Sequence, residues 1–232
     1  ALAVEDNDDG LVSRDEYLGV FYPSLFTSDN AGNNVVVPPS HGIMRTFALS
    51  DQVSFPWFAP AGTRRGGITN ASAAGFVDSE GEFKSIALNE GQRDTLYSLN
   101  INPITFLTGA GLVNFGQKTR ARNASALDRI NVARLVIYLR SQLKKLAKPY
   151  IFEPNDKITR DEIKAQVDSL MLELVSQRAL YDFLVVCDES NNTPSRIDRN
   201  ELYVDIAIEP VKAVEFIYIP LRLKNTGEIA GL

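Results

Sequence analysis

The chain is poor in the residues that most active sites are built from. A single cysteine, Cys187, excludes a disulfide framework and a cysteine-based metal centre. A single histidine, His41, removes histidine-rich metal sites and leaves a serine–histidine triad only one candidate. No stretch approaches the roughly 18 apolar residues that a membrane-spanning helix needs. Positive charge is in deficit, with 24 Lys and Arg against 29 Asp and Glu. The resulting net charge of −5 has the wrong sign for a dedicated nucleic-acid binder. The chain starts with Ala1 rather than Met, shows no basic-then-apolar signal region, and reads as part of a longer polypeptide.

What is present is an ordinary core-forming composition. Of the 232 residues, 44% are apolar and 23% charged. At about 150 residues per domain, that is enough for one large or two small units without covalent staples. From Tyr17 to Phe26 an aromatic and β-branched run predicts a strand, which Pro23 demotes to an edge or bulged one. A turn at 28–34 leads to an extended run, Val35 to Val37, and Pro38-Pro39-Ser40 opens a helix over about 40–50. Residues 51–82 read as loop.

The second half is more regular. Asn89 caps a short helix over 90–99, and Gly109-Ala-Gly111 joins strands at 104–108 and 112–117. Val132, Leu135, Val136, Leu139, Leu143 and Leu146 form one apolar stripe on a helix over 128–148 that Pro149 ends. Thr159 and Glu162 match a capping box for a further helix, buried through Ile163, Val167, Leu170, Met171 and Leu174. Strands are expected at 181–187, 201–209 and 214–220. Strands on both sides of a helix pair predict an α/β (α+β layered) fold, a mixed sheet packed against two long helices.

Four local patterns bear on function. Glu5, Asn7, Asp9 and Glu16, with Gly10 and Val12 at the usual positions, match an EF-hand calcium loop. Against it stand Glu in place of Asp at the first position and the lack of a preceding helix, so an acidic solvated turn is the competing reading. Arg134, Arg140, Lys144, Lys145 and Lys148 cluster opposite the apolar stripe of their helix, with Arg129 outside the cluster. That face is either solvated or docks on an acidic partner, setting register and on-rate. The final strand, Val214, Glu215, Phe216, Ile217, Tyr218 and Ile219, is either a covered edge or one open to strand addition by another chain. Cys187, ending an apolar strand, reads as a buried structural thiol, and no paired acids or phosphate cradle support an enzyme.

Taken in order, these segments are similar to the C-terminal half of contractile tail sheath proteins of myovirus-type bacteriophages. The matching pieces are Tyr17 to Pro23, Val37 to Gly42, Trp57 to Gly62, Asn100 to Ile104, Phe115 to Thr119 and Ile130 to Leu135. Phe152-Glu-Pro-Asn155, Cys187-Asp188 with Asn191-Asn192, and Ile208 to Ile217 complete the series. His41 interrupts the family's Pro-Pro-Ser-Gly, and Phe115 stands where the family has Trp. The resemblance implies a core sheath domain over 37–232, with 1–36 a terminal strand segment of the same or a preceding sheath domain. It further implies a structural, non-enzymatic subunit of a virion tail, assembled in the host cytoplasm and needing no cofactor. Its partners would be further sheath subunits in hexameric rings, the tail tube protein and the baseplate, with no direct nucleic-acid contact and no membrane insertion. The basic helix face would then meet the tube, and the last strand a neighbouring subunit.

Overall fold

The computed structural model describes residues 14–219. The first aromatic run forms two strands, β1 (Val20–Tyr22) and β2 (Ser24–Ser28), that lie in different sheets. The break falls at Pro23, which has no N–H to give to a ladder. β1 pairs in parallel with β6 (Ile101–Leu107), with Val20 opposite Ile101. β6 turns into the antiparallel β7 (Gly111–Asn114) through Gly109 and Gly111, both at positive φ. β2 is the second strand of an antiparallel sheet ordered β3 (Asn34–Val37), β2, β4 (Ala73–Val77), β5 (Phe83–Ser85). β8 (Leu180–Val186) and β9 (Asp205–Pro210) form a third sheet of two strands.

The helices are α1 (Pro39–Val53), α2 (Gly62–Arg65), α3 (Glu90–Ser98), α4 (Ile130–Ala147), α5 (Lys157–Ser176) and α6 (Pro194–Ile197). Asn89 caps α3 as the sequence indicates, and the structure adds Gln92, whose side chain accepts from the Asn89 amide to complete a capping box. The apolar stripe of α4 meets the face of α5 in one core with Trp57, β8 and β9. Met171 is fully buried there, and Trp57 Nε1–H donates to the Gln177 carbonyl at 3.1 Å. A second core gathers Leu25, Ile43, Ile68, Ala74, Ile104 and Leu112.

Four expectations need correction. The loop over 51–82 contains α2 and β4, and β5 follows at its end; Ala-Ala-Gly-Phe-Val lacks the β-branched alternation that marks a strand. Gly75 is required in β4 because a Cβ there would stand 2.1 Å from the Lys84 carbonyl oxygen. α5 is capped by Asp156, whose carboxylate accepts from the Thr159 amide at 2.9 Å, not by Thr159. An N-cap carboxylate reaches the third helical amide, so the helix starts two residues before Thr159. The strand expected from 201 begins at Asp205, since Asn192 takes both backbone groups of Tyr203. Finally, residues 214–219 form no strand and join no ladder among the described residues.

Candidate functional site

The concavities offer little chemistry. A 260 Å³ hollow is lined by Lys157, Arg160, Asp161, Cys187, Asp188, Glu189 and Ser190. Cys187 is buried, and burial pushes its thiol up, away from the reactive thiolate. His41 lies exposed at the entry of α1. Among the described residues no three His, Cys, Asp or Glu side chains come together as a metal would need. Glu5, Asn7 and Asp9 of the EF-hand-like pattern lie outside the described residues, and only Glu16 of that set lies within them.

The basic face of α4 is only partly the one the helical wheel draws. Arg140, Lys144, Lys145 and Lys148 are exposed. Arg140 lies 5.6 Å from the centroid of the Tyr17 ring, with its charge still at the surface. Arg134 does not belong to this set. Its guanidinium donates to Asp51 of α1 at 2.7 Å, and its side chain keeps only 16% of its exposure. It also lies 4.9 Å from the Phe47 ring centroid. Arg134 is therefore a strut between α4 and α1, a role set by a partner 83 residues earlier in the chain.

The C-terminal segment carries the larger apolar surface. Val214, Phe216, Ile217, Tyr218 and Ile219 are between 62% and 88% exposed. Glu215, in their midst, turns inward. Arg129 grips its carboxylate in bidentate fashion, Nε to Oε1 at 2.6 Å and the second amino group to Oε2 at 3.0 Å. Gln117 donates a further hydrogen bond at 3.1 Å. Burial pushes the Glu215 carboxyl up, but the bonds from Arg129, Tyr97 and Gln117 outweigh it and hold the carboxyl below its usual range. The same contact raises Arg129 against its own burial, and burial followed by the Glu215 charge drives the Tyr97 phenol far up. Sequence reading left Arg129, Tyr97 and Gln117 unassigned, because partners 86 and 98 residues apart leave no local signal.

This contact has a pH signature. A carboxyl lowered in the folded chain gives stability that is complete above its ordinary value of 4.5 and is lost as pH falls through the lower folded value. The groups facing it are Arg129, Tyr97 and Gln117, with Lys118 and Asp128 next to them. The 13C shift of the Glu215 side-chain carboxyl, followed by NMR, is expected to titrate below the ordinary value of 4.5 in the folded chain and to return to it in Arg129→Met. A carboxyl that titrates at or above 4.5 in the folded chain would refute the assignment.

Exposed apolar residues over 214–219 and a positive helix face are surfaces suited to assembly. Comparison with known proteins decides which. Residues 123–224 match the family described as phage tail sheath C-terminal domain. The chain is 40% identical over 199 residues to the tail sheath protein of Vibrio phage KVP40, covering 84% of this chain and 28% of that protein. It is 34% identical over 200 residues to the tail sheath protein of Enterobacteria phage T4, covering 84% and 29%. Over residues 123–224 the chain thus carries the sequence pattern of a phage tail sheath C-terminal domain. The chain spans under a third of the length of these curated relatives.

Solved structures share the fold of this chain. The anti-feeding prophage baseplate contains a chain that superimposes with a TM-score of 0.79 at 22% identity, over 93% of this chain and 57% of that one. The sheath complex of an extracellular contractile injection system in its contracted state gives 0.78 at 19% identity, over 97% and 61%. Such low identities speak for fold alone. The motif resemblance and the mixed α/β expectation are both borne out.

Proposed function

We propose that the chain is the C-terminal part of a contractile tail sheath subunit. The parent protein polymerises helically around a tail tube and shortens to drive that tube through the host envelope. The observation that carries this reading is the C-terminal segment, five apolar side chains exposed to solvent with no ladder partner among the described residues. Such a segment stabilises a lattice by adding to a sheet of a neighbouring copy. β8 and β9 supply an acceptor, since each has one edge without a strand partner among the described residues. A two-stranded sheet gains most from an added strand.

In this reading residues 37–232 form the core sheath domain and residues 1–36 its terminal segment, supported by the pairing of β1 with β6 and of β2 with β4. Copies form hexameric rings, with the tube inside and a baseplate at one end. Arg140, Lys144, Lys145 and Lys148 face the tube. The particle is a phage tail assembled in the host cytoplasm. The work comes from repacking a metastable lattice and needs no nucleotide or cofactor.

Electron microscopy of the full-length parent protein tests the proposal. Striated tubes of stacked rings are the expected result. A protein that stays monomeric at every concentration and salt, with and without tail tubes, would sink it.

A further inference from the structure

Residues 211–219 leave the body in two different ways. At the start, the Val211 amide donates to the Ala179 carbonyl at 3.0 Å, continuing the β8–β9 ladder by one rung. Beyond that rung, the hydrogen bonds that tie residues 212–219 to the described body all end on the Glu215 carboxylate. Apolar packing does not hold the segment. Val214 and Phe216, on either side of Glu215, are 79% and 62% exposed. A 640 Å³ groove separates residues 210–216 from the stretch 124–132.

The clamp draws on three separate parts of the fold. Arg129 immediately precedes α4, Gln117 follows β7, and Tyr97 lies on α3. Lys118 backs the site from the same side, its Nζ donating to the Tyr97 carbonyl at 2.7 Å and lying 4.3 Å from that ring's centroid. Side-chain exposure at the ion pair is 28% for Arg129 and 16% for Glu215, so solvent screens it only in part. A bidentate guanidinium–carboxylate pair fixes direction as well as distance.

We propose that the Arg129–Glu215 clamp positions the C-terminal segment, so that the chain up to Glu215 belongs to the body and the strand offered to a neighbour begins at Phe216. Donation to a neighbour rests on the proposed strand addition; the clamp itself does not. Glu215 is then a positioning residue, not part of the donated strand. It sets the point and direction from which Phe216 to Ile219 depart, and hence which edge on the next subunit they reach.

Tryptic cleavage after Lys212 of the folded chain reads the clamp directly, because cleavage tracks the population in which the local segment has opened. Glu215→Gln keeps shape but loses the charge. It is expected to speed this cleavage about tenfold or more, the effect of losing charge-assisted hydrogen bonds, with the body's melting temperature nearly unchanged. Arg129→Met should do the same, and the double variant should add nothing further, as two halves of one contact require. It also serves as the test if Glu215→Gln fails to fold. An unchanged cleavage rate in both variants, or effects that simply add, overturns the clamp. A full-length protein truncated after Glu215 separates the two claims. If it still forms sheath tubes while the clamp passes its own test, strand addition by residues 216–219 is wrong and the clamp stands.

Discussion

Removal of residues 210–232 from the full-length parent protein is expected to abolish polymerisation. In an added strand, alternate side chains face the acceptor sheet. Two of Phe216, Ile217, Tyr218 and Ile219 would therefore be buried at each junction. At about 2 kcal/mol apiece this is roughly 4 kcal/mol, on the order of a thousandfold in the equilibrium constant of one contact. A helical lattice repeats that contact at every subunit, so its loss is multiplied along the tube. The deletion also removes Pro210, opposite Leu180 in the last rung of β8–β9, and the Val211 bond to Ala179. Truncation after Glu215 spares both and leaves the clamp whole. It should abolish assembly equally while leaving thermal unfolding close to that of the intact protein. Sheath tubes of normal length from the truncated protein, seen by electron microscopy, would refute strand addition.

The second large effect is expected from reversing charge at Arg140, Lys144 and Lys148. These residues recur every fourth position, so they form one exposed line along α4 and its C-cap, Lys148. Charges at the rim of an interface act on association rate and salt dependence more than on affinity. Three reversals should slow sheath assembly around the tube by about ten- to a hundredfold at low ionic strength, and the difference should shrink as salt screens the interaction. Light scattering during assembly at several salt concentrations measures both. Normal assembly with normal salt dependence would leave this face to solvent. Arg134 is excluded from the set on purpose, because a reversed charge there would face Asp51 in a half-buried contact and weaken the fold itself.

The same helix shows where sequence reading holds and where it stops. Its apolar stripe is legible because 3.6-residue periodicity turns spacing into a face, and Leu135 and Leu139 are buried as that spacing requires. Its polar side is legible only as a set of charges. Whether a given charge meets solvent or a partner depends on what packs beside it. Arg134 finds Asp51 of α1 and Arg129 finds Glu215, while Arg140 and the lysines stay at the surface. Leu202, Val204, Ile206 and Ile208 alternate along the expected 201–209 strand, and all four pack on the main core. Its start was not readable, because Asn192, brought in from a turn, competes for the Tyr203 backbone.

The sequence alone determined the helices with a clear apolar stripe, the glycine hairpin between β6 and β7, the poverty of reactive groups and the ordered series of sheath-like motifs. All of these depend on residues a few positions apart or on composition. Tertiary structure decided that the first aromatic run serves two sheets, that Arg134 is an internal strut, and that Glu215 is gripped while its neighbours stand free. Each of those outcomes joins residues that are dozens of positions apart. Only the folded chain fixes the distance between them, and the strength of a charge contact depends on that distance and on the water excluded around it.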